Sequence, residues 1–123
     1  MSTIGLIDDD MTTRTLLKTL LEMEGYAVIA FDQENASELL ASLANQRPDL
    51  IILDVHLRYA DGLELLKHIR QNQTTKNLRV VMSSGMDYST QCEKAGANAF
   101  LMKPYMPDDL LAIIREQLSQ PPG

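Results

Sequence analysis

The sequence predicts a doubly wound α/β domain built on a five-stranded parallel sheet, and three features carry that prediction. Five short runs rich in Ile, Val and Leu recur along the chain, segments with helical spacing separate them, and three of the runs are almost unbroken in apolar character. Strands with one wet face alternate apolar and polar residues. Continuous apolar runs belong to strands covered on both faces, as in a parallel sheet flanked by helices.

The first run, Thr3 to Ile7, is followed by Leu16, Leu17, Leu20 and Leu21 on one helical stripe, with Gly25 placed as a stop. The second, Tyr26 to Phe31, leads to a helix marked by Leu39, Leu40 and Leu43 that Pro48 cannot continue. Leu50 to Leu53 is the third, after which Asp61-Gly62 opens a helix carrying Leu63, Leu66 and Ile69. Leu78 to Met82 and Asn98 to Met102 are the fourth and fifth. Pro107, Asp108 and Asp109 suit a first helical turn, where proline needs no amide donor and carboxylates face the positive end of the helix dipole. Leu110 to Leu118 completes that helix, and Leu110, Leu111, Ile113 and Ile114 exceed what one buried stripe needs, hinting at a partner contact. The fold expected is doubly wound with right-handed crossovers and strand order 2-1-3-4-5, in a single domain over residues 1–118, with 119–123 a tail or the start of a linker.

At 123 residues the chain has room for one core and no second independent one. A net charge of −6 without any Lys/Arg cluster excludes the basic stripe that nucleic-acid backbones require. Aromatic residues make up 5% with no tryptophan, which leaves no stacking platform for single strands. No apolar run reaches bilayer length, and the N-terminus lacks the basic flank of a secretory signal, so the cytoplasm is the default address. The lone Cys92 can form no intramolecular disulfide and lacks zinc-site spacing.

In a doubly wound sheet, ligands bind at the carboxyl ends of the strands. There the sequence places Asp8-Asp9-Asp10 after the first strand, Asp54 after the third, Ser83-Ser84 after the fourth and Lys103-Pro104 after the fifth. Strands one and three are neighbours in the predicted order, so two or three carboxylates meet. Such a cluster needs a cation, and all-oxygen ligation suits Mg²⁺, with Mn²⁺ an alternative. Asp54 can then attack phosphorus, while Lys103, the Ser84 hydroxyl and a metal held by Asp9 and Asp54 neutralise the charge on the transferring group.

An acidic pair after strand one, Pro48-Asp49-Leu50-Ile51-Ile52-Leu53-Asp54, a hydroxyl residue ending strand four and Lys103-Pro104 after strand five together resemble the receiver domain of response regulators, over nearly the whole chain. The chain is similar to the chemotaxis response regulator and to the N-terminal halves of two-component transcription factors. The resemblance implies phosphoryl transfer from a histidine kinase or phosphotransfer protein to Asp54. It implies Asp9 as the principal metal ligand, Asp8 as an acid close behind it, and Asp54 and the carbonyl of His56 as further ligands. Ser84 and Phe100 stand as the switch pair, Lys103 contacts the phosphoryl group, and the Lys103–Pro104 peptide matches the family's cis bond. The protein is then a signalling phosphoacceptor that catalyses its own phosphorylation and dephosphorylation. Its output face is the fourth helix, fifth strand and fifth helix, open to an output domain or a second copy.

Two departures stand out. Arg58 occupies the place of a usual proline in the acceptor loop, and the segment from Ser84 to Gly96 is short by about a turn, which predicts a stunted or shifted fourth helix. Plainer readings stand beside the functional ones. Asp10 caps the first helix, Ser84 could open a turn with Gly85, and Met82, Met86, Met102 and Met106 read as packing residues. His56 belongs at the pocket rim and His68 in solvent. Three rivals remain. A flavodoxin-like FMN module shares the winding but wants a Ser/Thr/Gly-rich phosphate loop in place of three aspartates. An aspartate-dependent phosphohydrolase would use Asp8 and Asp10 and leave Asp54 unexplained. A docking platform of the same fold would bind no metal.

Overall fold

The computed structural model describes residues 1–33 and 35–120. Five strands and five helices alternate: β1 (Thr3–Ile7), α1 (Met11–Met23), β2 (Ala27–Ala30), α2 (Ala36–Gln46), β3 (Leu50–Asp54), α3 (Gly62–Gln71), β4 (Arg79–Ser84), α4 (Ser89–Ala95), β5 (Ala99–Met102) and α5 (Pro107–Ser119). The strands form one parallel sheet of order β2-β1-β3-β4-β5, as the alternation predicts. β1 and β3 are in register with Ile7 beside Leu53, and β3 and β4 with Asp54 beside Ser83. The strand ends that carry polar residues therefore lie along one edge.

Local chemistry sets the helix starts. Asp10, Asn35 and Asp61 each accept a bond from a free first-turn amide, at 3.1 Å from Thr12, 2.8 Å from Ser37 and 2.9 Å from Leu63. Pro107 occupies the first turn of α5 after Met106. α1 ends at Glu24, and Gly25 at φ 92° adopts the left-handed conformation that a side chain resists. At seven residues α4 is the shortest helix described, its starting residue Tyr88 offers no side-chain cap, and it ends at Gly96 with φ 102°. That is the stunted fourth helix the sequence predicts.

The core lies in two layers, one on each sheet face. Leu39, Leu43, Leu65, Leu66, Ile69 and Cys92 pack on Ile51, Leu53, Val80 and Met82 on one side. Leu17, Leu21, Leu110, Leu111 and Ile114 pack on Ile4, Leu6, Leu50, Ile52 and Val81 on the other. Each fully buried Leu or Ile stabilises the fold by about 1.5–3 kcal/mol, which is why β1, β3 and β4 tolerate almost no polar residue between their ends.

Several residues sit differently from the sequence reading. Leu16 is 65% exposed, because α1 turns only Leu17 and Leu21 fully inward, and Leu65 joins Leu66 and Ile69 in the core. Met82 is buried, but Met86, Met102 and Met106 are exposed, since two sit in loops at the sheet edge and one ends the outer strand. Leu110, Leu111 and Ile114 are absorbed by the core and Ile113 is partly covered, so α5 retains no apolar surplus. Ser119 is helical and Gln120 caps α5, placing the end of the helix beyond Leu118. Pro121, Pro122 and Gly123 lie outside the described residues.

Candidate functional site

The edge formed by the carboxyl ends of β1, β3, β4 and β5 gathers the predicted side chains around one ammonium group. Lys103 Nζ donates to Asp8 Oδ2 and to Asp54 Oδ2, each at 3.1 Å. These contacts span 95 and 49 residues of sequence, so only the sheet brings them together. Lys103 is held in turn by its backbone amide, which donates to the Ser84 carbonyl at 2.7 Å. Burial works against the charged lysine, but hydrogen bonding and charge from Asp8, and then from Asp54, outweigh it and raise its pKa above the ordinary value.

Each carboxylate has a second anchor. The Asp10 amide donates to Asp8 Oδ1 at 2.9 Å and the His56 amide to Asp54 Oδ1 at 3.2 Å. Asp9 points toward the same β3–α3 loop as Asp54, accepting from the Arg58 amide through Oδ2. Its other oxygen has no hydrogen bond among the described residues. Asp10 faces outward, accepting from the Thr12 amide at 3.1 Å and the Thr13 hydroxyl at 2.8 Å, which confirms its capping role.

Ser84 is 1% exposed at the end of β4, and its Oγ accepts from the Met86 amide at 3.1 Å. The turn suggested by Ser84-Gly85 is therefore present, and it leaves the hydroxyl hydrogen free to donate. Phe100 is partly buried against the layer of core that includes Cys92. The Lys103–Pro104 peptide is cis. His56 is exposed beside the acceptor loop, its ring 5.3 Å from that of Tyr88 and nearly perpendicular to it. His68 is exposed near the end of α3, away from this edge.

Some contributors escape a sequence reading. Arg14 Nη1 donates to the Asp8 carbonyl at 2.8 Å and steadies the acidic loop. Tyr105 lies close enough for its phenol to feel the cluster: burial raises its pKa first, Lys103 opposes, and Asp8 and Asp54 add to the rise. Gly62 lies against the backbone of Asp54 and Val55, its amide donating to the Val55 carbonyl at 2.7 Å. A Cβ there would fall on the Asp54 carbonyl oxygen. Asp61-Gly62 was the available signal for that close approach; Arg14 and Tyr105 had none.

Two hollows flank the cluster. One, of about 650 Å³, is lined by Asp8, Asp9 and Asp10 with Arg14, Arg58 and Tyr59. The other, of about 550 Å³, is an apolar groove between α1 and the β5–α5 loop, lined by Leu16, Leu17, Leu20, Lys103, Pro104 and Tyr105.

The donor set fits a hard divalent ion. Asp8 and Asp54 adjoin the Lys103 ammonium and Asp9 faces the same β3–α3 loop, so three carboxyl side chains gather near one lysine. No group of three or more His, Cys, Asp or Glu among the described residues forms a ready-made metal cage. Mg²⁺ keeps several waters and takes one or two carboxylates together with substrate phosphate.

The family described as the response regulator receiver domain matches residues 4–115, and the chain belongs to it. Among curated proteins, the transcriptional regulatory protein CpxR of Escherichia coli (strain K12) is 40% identical over 117 residues, covering 94% of this chain and 48% of that protein. The chain spans about half the length of CpxR and of other curated relatives, and less of some. Among solved structures, a response regulator receiver domain protein (CheY-like) from Methanospirillum hungatei JF-1 superposes with a TM-score of 0.85 at 33% identity, covering 97% of this chain and 94% of that one. The receiver domain of sensor histidine kinase PA1611 from Pseudomonas aeruginosa PAO1, solved with magnesium coordinated in its active-site cleft, shares the fold with a TM-score of 0.84 at 23% identity, covering 97% of this chain and 98% of that one. The protein is thus a receiver domain of two-component signalling, with a flavodoxin-like winding.

Proposed function

We propose that Asp54 is the phosphoacceptor and that its donor is the phosphohistidine of a histidine kinase or phosphotransfer protein. The observation that carries this reading is the Lys103 ammonium, 3.1 Å from carboxylates supplied by both β1 and β3. In the transfer, an oxygen of Asp54 forms a bond to phosphorus as the phosphorus–nitrogen bond breaks, and the donor imidazole keeps the electron pair and takes up a proton. Lys103 compensates the charge on the transferring oxygens, and the Ser84 hydroxyl offers them a hydrogen bond. Asp9, Asp54 and the His56 carbonyl would hold Mg²⁺, with Asp8 close by; Mn²⁺ has the same ligand preference. When bound, the ion supplies charge neutralisation for the phosphoryl oxygens.

The apolar groove beside Lys103 supports the partner assignment, because Leu16 stands 65% exposed there and Leu20 and Tyr105 flank it. A helix presenting the phosphohistidine would cover that groove and bring the imidazole to the cluster. Phosphorylation then draws Ser84 inward and buries Phe100, shifting an existing equilibrium of α4, β5 and α5 toward an output domain or a second copy. The receiver would occupy residues 1–118 together with the end of α5 at Ser119, with a tail or the start of a linker after it, and its setting would be the cytoplasm. Among the described residues no helix is long and apolar enough to cross a membrane.

The test is acetyl phosphate or beryllofluoride with Mg²⁺, read by intact mass and by ¹⁹F resonance. The native chain gains one phosphoryl group or one bound beryllofluoride, and Asp54→Ala gains neither. Equal responses from the two proteins would defeat the assignment.

A further inference from the structure

The short fourth helix is held very differently at its two ends. At its C-terminus Arg70 forms a clamp: Nε donates to the Gly96 carbonyl at 2.9 Å, Nη2 to Asn98 Oδ1 at 2.9 Å, and Nη1 to the carbonyls of Leu78 at 2.6 Å and Lys76 at 3.0 Å. Asn98 Oδ1 also accepts from the Val80 amide at 2.7 Å, so the clamp is riveted to the central sheet. At the N-terminus of α4 the cap residue Tyr88 makes no side-chain cap bond, and the local anchor is Asp87, whose Oδ1 accepts from the Ser89 amide at 3.0 Å and from the Ser89 hydroxyl at 2.6 Å. That end is also steadied by Tyr88, whose ring packs on the core and meets the ring of His56 edge-on, with centroids 5.3 Å apart and planes at 74°.

His56 is itself exposed. Its backbone nevertheless belongs to the acceptor site, since its amide donates to Asp54 Oδ1. The loop it starts is closed, with His56 bridged to Asp61 and the Leu57 amide donating to the Ala60 carbonyl at 3.2 Å. A shift of the His56 backbone that follows its ring would therefore be felt by the Asp54 carboxylate through that amide.

From this geometry we infer that Tyr88 is a positioning residue for the acceptor site, acting through His56, and that the first turn of α4 and Asp54 report on each other through that ring contact. The inference rests on the phosphoacceptor reading above and adds a route to it beside the Ser84 and Phe100 pair. α4 pivots about the Arg70 clamp, and Tyr88, at the far end of seven residues spanning about 10 Å, moves most. Reciprocity follows from linkage: if occupancy at Asp54 biases α4, a change at α4 alters occupancy by the same factor.

The experiment compares the native chain with Tyr88→Phe, which keeps the ring, and Tyr88→Leu, which keeps the apolar packing and loses it. Three readouts are taken: the affinity for beryllofluoride with Mg²⁺ by ¹⁹F resonance, amide exchange across residues 89–95 with and without beryllofluoride, and exchange of the His56 amide in metal-free protein. Tyr88→Phe behaves as native. Tyr88→Leu binds beryllofluoride roughly threefold to tenfold more weakly, the scale of one aromatic pair, and its α4 exchange no longer responds to binding. Its His56 amide exchanges faster without metal. Native-like affinity and His56 exchange in Tyr88→Leu would overturn the inference. If the native chain bound no beryllofluoride the acceptor reading would fail, while the metal-free His56 exchange would still decide whether Tyr88 positions that loop.

Discussion

Replacing Gly62 by alanine tests how tightly the start of α3 is fitted to the backbone of Asp54 and Val55. The added methyl would fall on the Asp54 carbonyl oxygen, 2.8 Å from Val55 Cα and 2.9 Å from the Val55 carbonyl oxygen. All three are backbone atoms at the end of a central strand, so no side chain can swing aside. Ordinary contact would require α3 to lift by on the order of 1 Å, breaking the 2.7 Å bond from the Gly62 amide to the Val55 carbonyl. Overpacking of this kind costs about 1–3 kcal/mol, and rigid backbone neighbours place it at the upper end. Alanine returns about 0.4–1 kcal/mol by restricting the unfolded chain, for a net loss of about 2 kcal/mol. In a domain of this size that lowers Tm by roughly 6–10 °C. Asp54 moves with the strand end, so beryllofluoride binding weakens as well. Gly85→Ala is the control, because a methyl there meets nothing within 4 Å. Thermal melts followed by circular dichroism and beryllofluoride titration read both effects. A Gly62→Ala protein that melts within 1 °C of native and binds beryllofluoride equally would refute the packing argument.

Arg70→Met removes four hydrogen bonds, of which only that to the Leu78 carbonyl is part-buried, and should cost about 1–3 kcal/mol, measured by urea unfolding with an unchanged slope. Burial first, and then the charge of Asp61, push the Cys92 thiol up to about 11, so Cys92 should stay unmodified by an aromatic disulfide reagent at pH 8 until the chain is unfolded. Lys103 has a raised pKa in the fold, so its contribution to stability is fully present below the ordinary lysine value of 10.5 and is lost as pH climbs through the raised value. Melts between pH 8 and pH 11.5 should show a steeper loss for the native chain than for Lys103→Met.

Strand and helix order was legible because burial leaves a periodic trace. Leu50 to Leu53 are fully apolar since helices cover both sides of β3, and Asp10 and Asp61 advertise helix starts because few residues can satisfy free first-turn amides. Errors cluster where the trace is ambiguous. Leu16 and Leu17 are adjacent and equally apolar, yet α1 buries only Leu17, whereas α5 buries both of the adjacent Leu110 and Leu111, and composition alone does not separate the two cases. Methionines around the sheet edge read as core by composition, although Met86 and Met106 sit in loops.

By itself the chain determined its sheet order and the placing of acids, hydroxyl and lysine at successive strand ends, because apolar period and turn chemistry act over a few residues. Which acids share the lysine was decided only in three dimensions. Asp8 and Asp54 reach Lys103 while Asp9 turns to the Arg58 amide, and Tyr88 meets His56 across 32 positions. Such pairings depend on strand register and loop closure, which place side chains to within an ångström and leave no periodic mark in the order of residues.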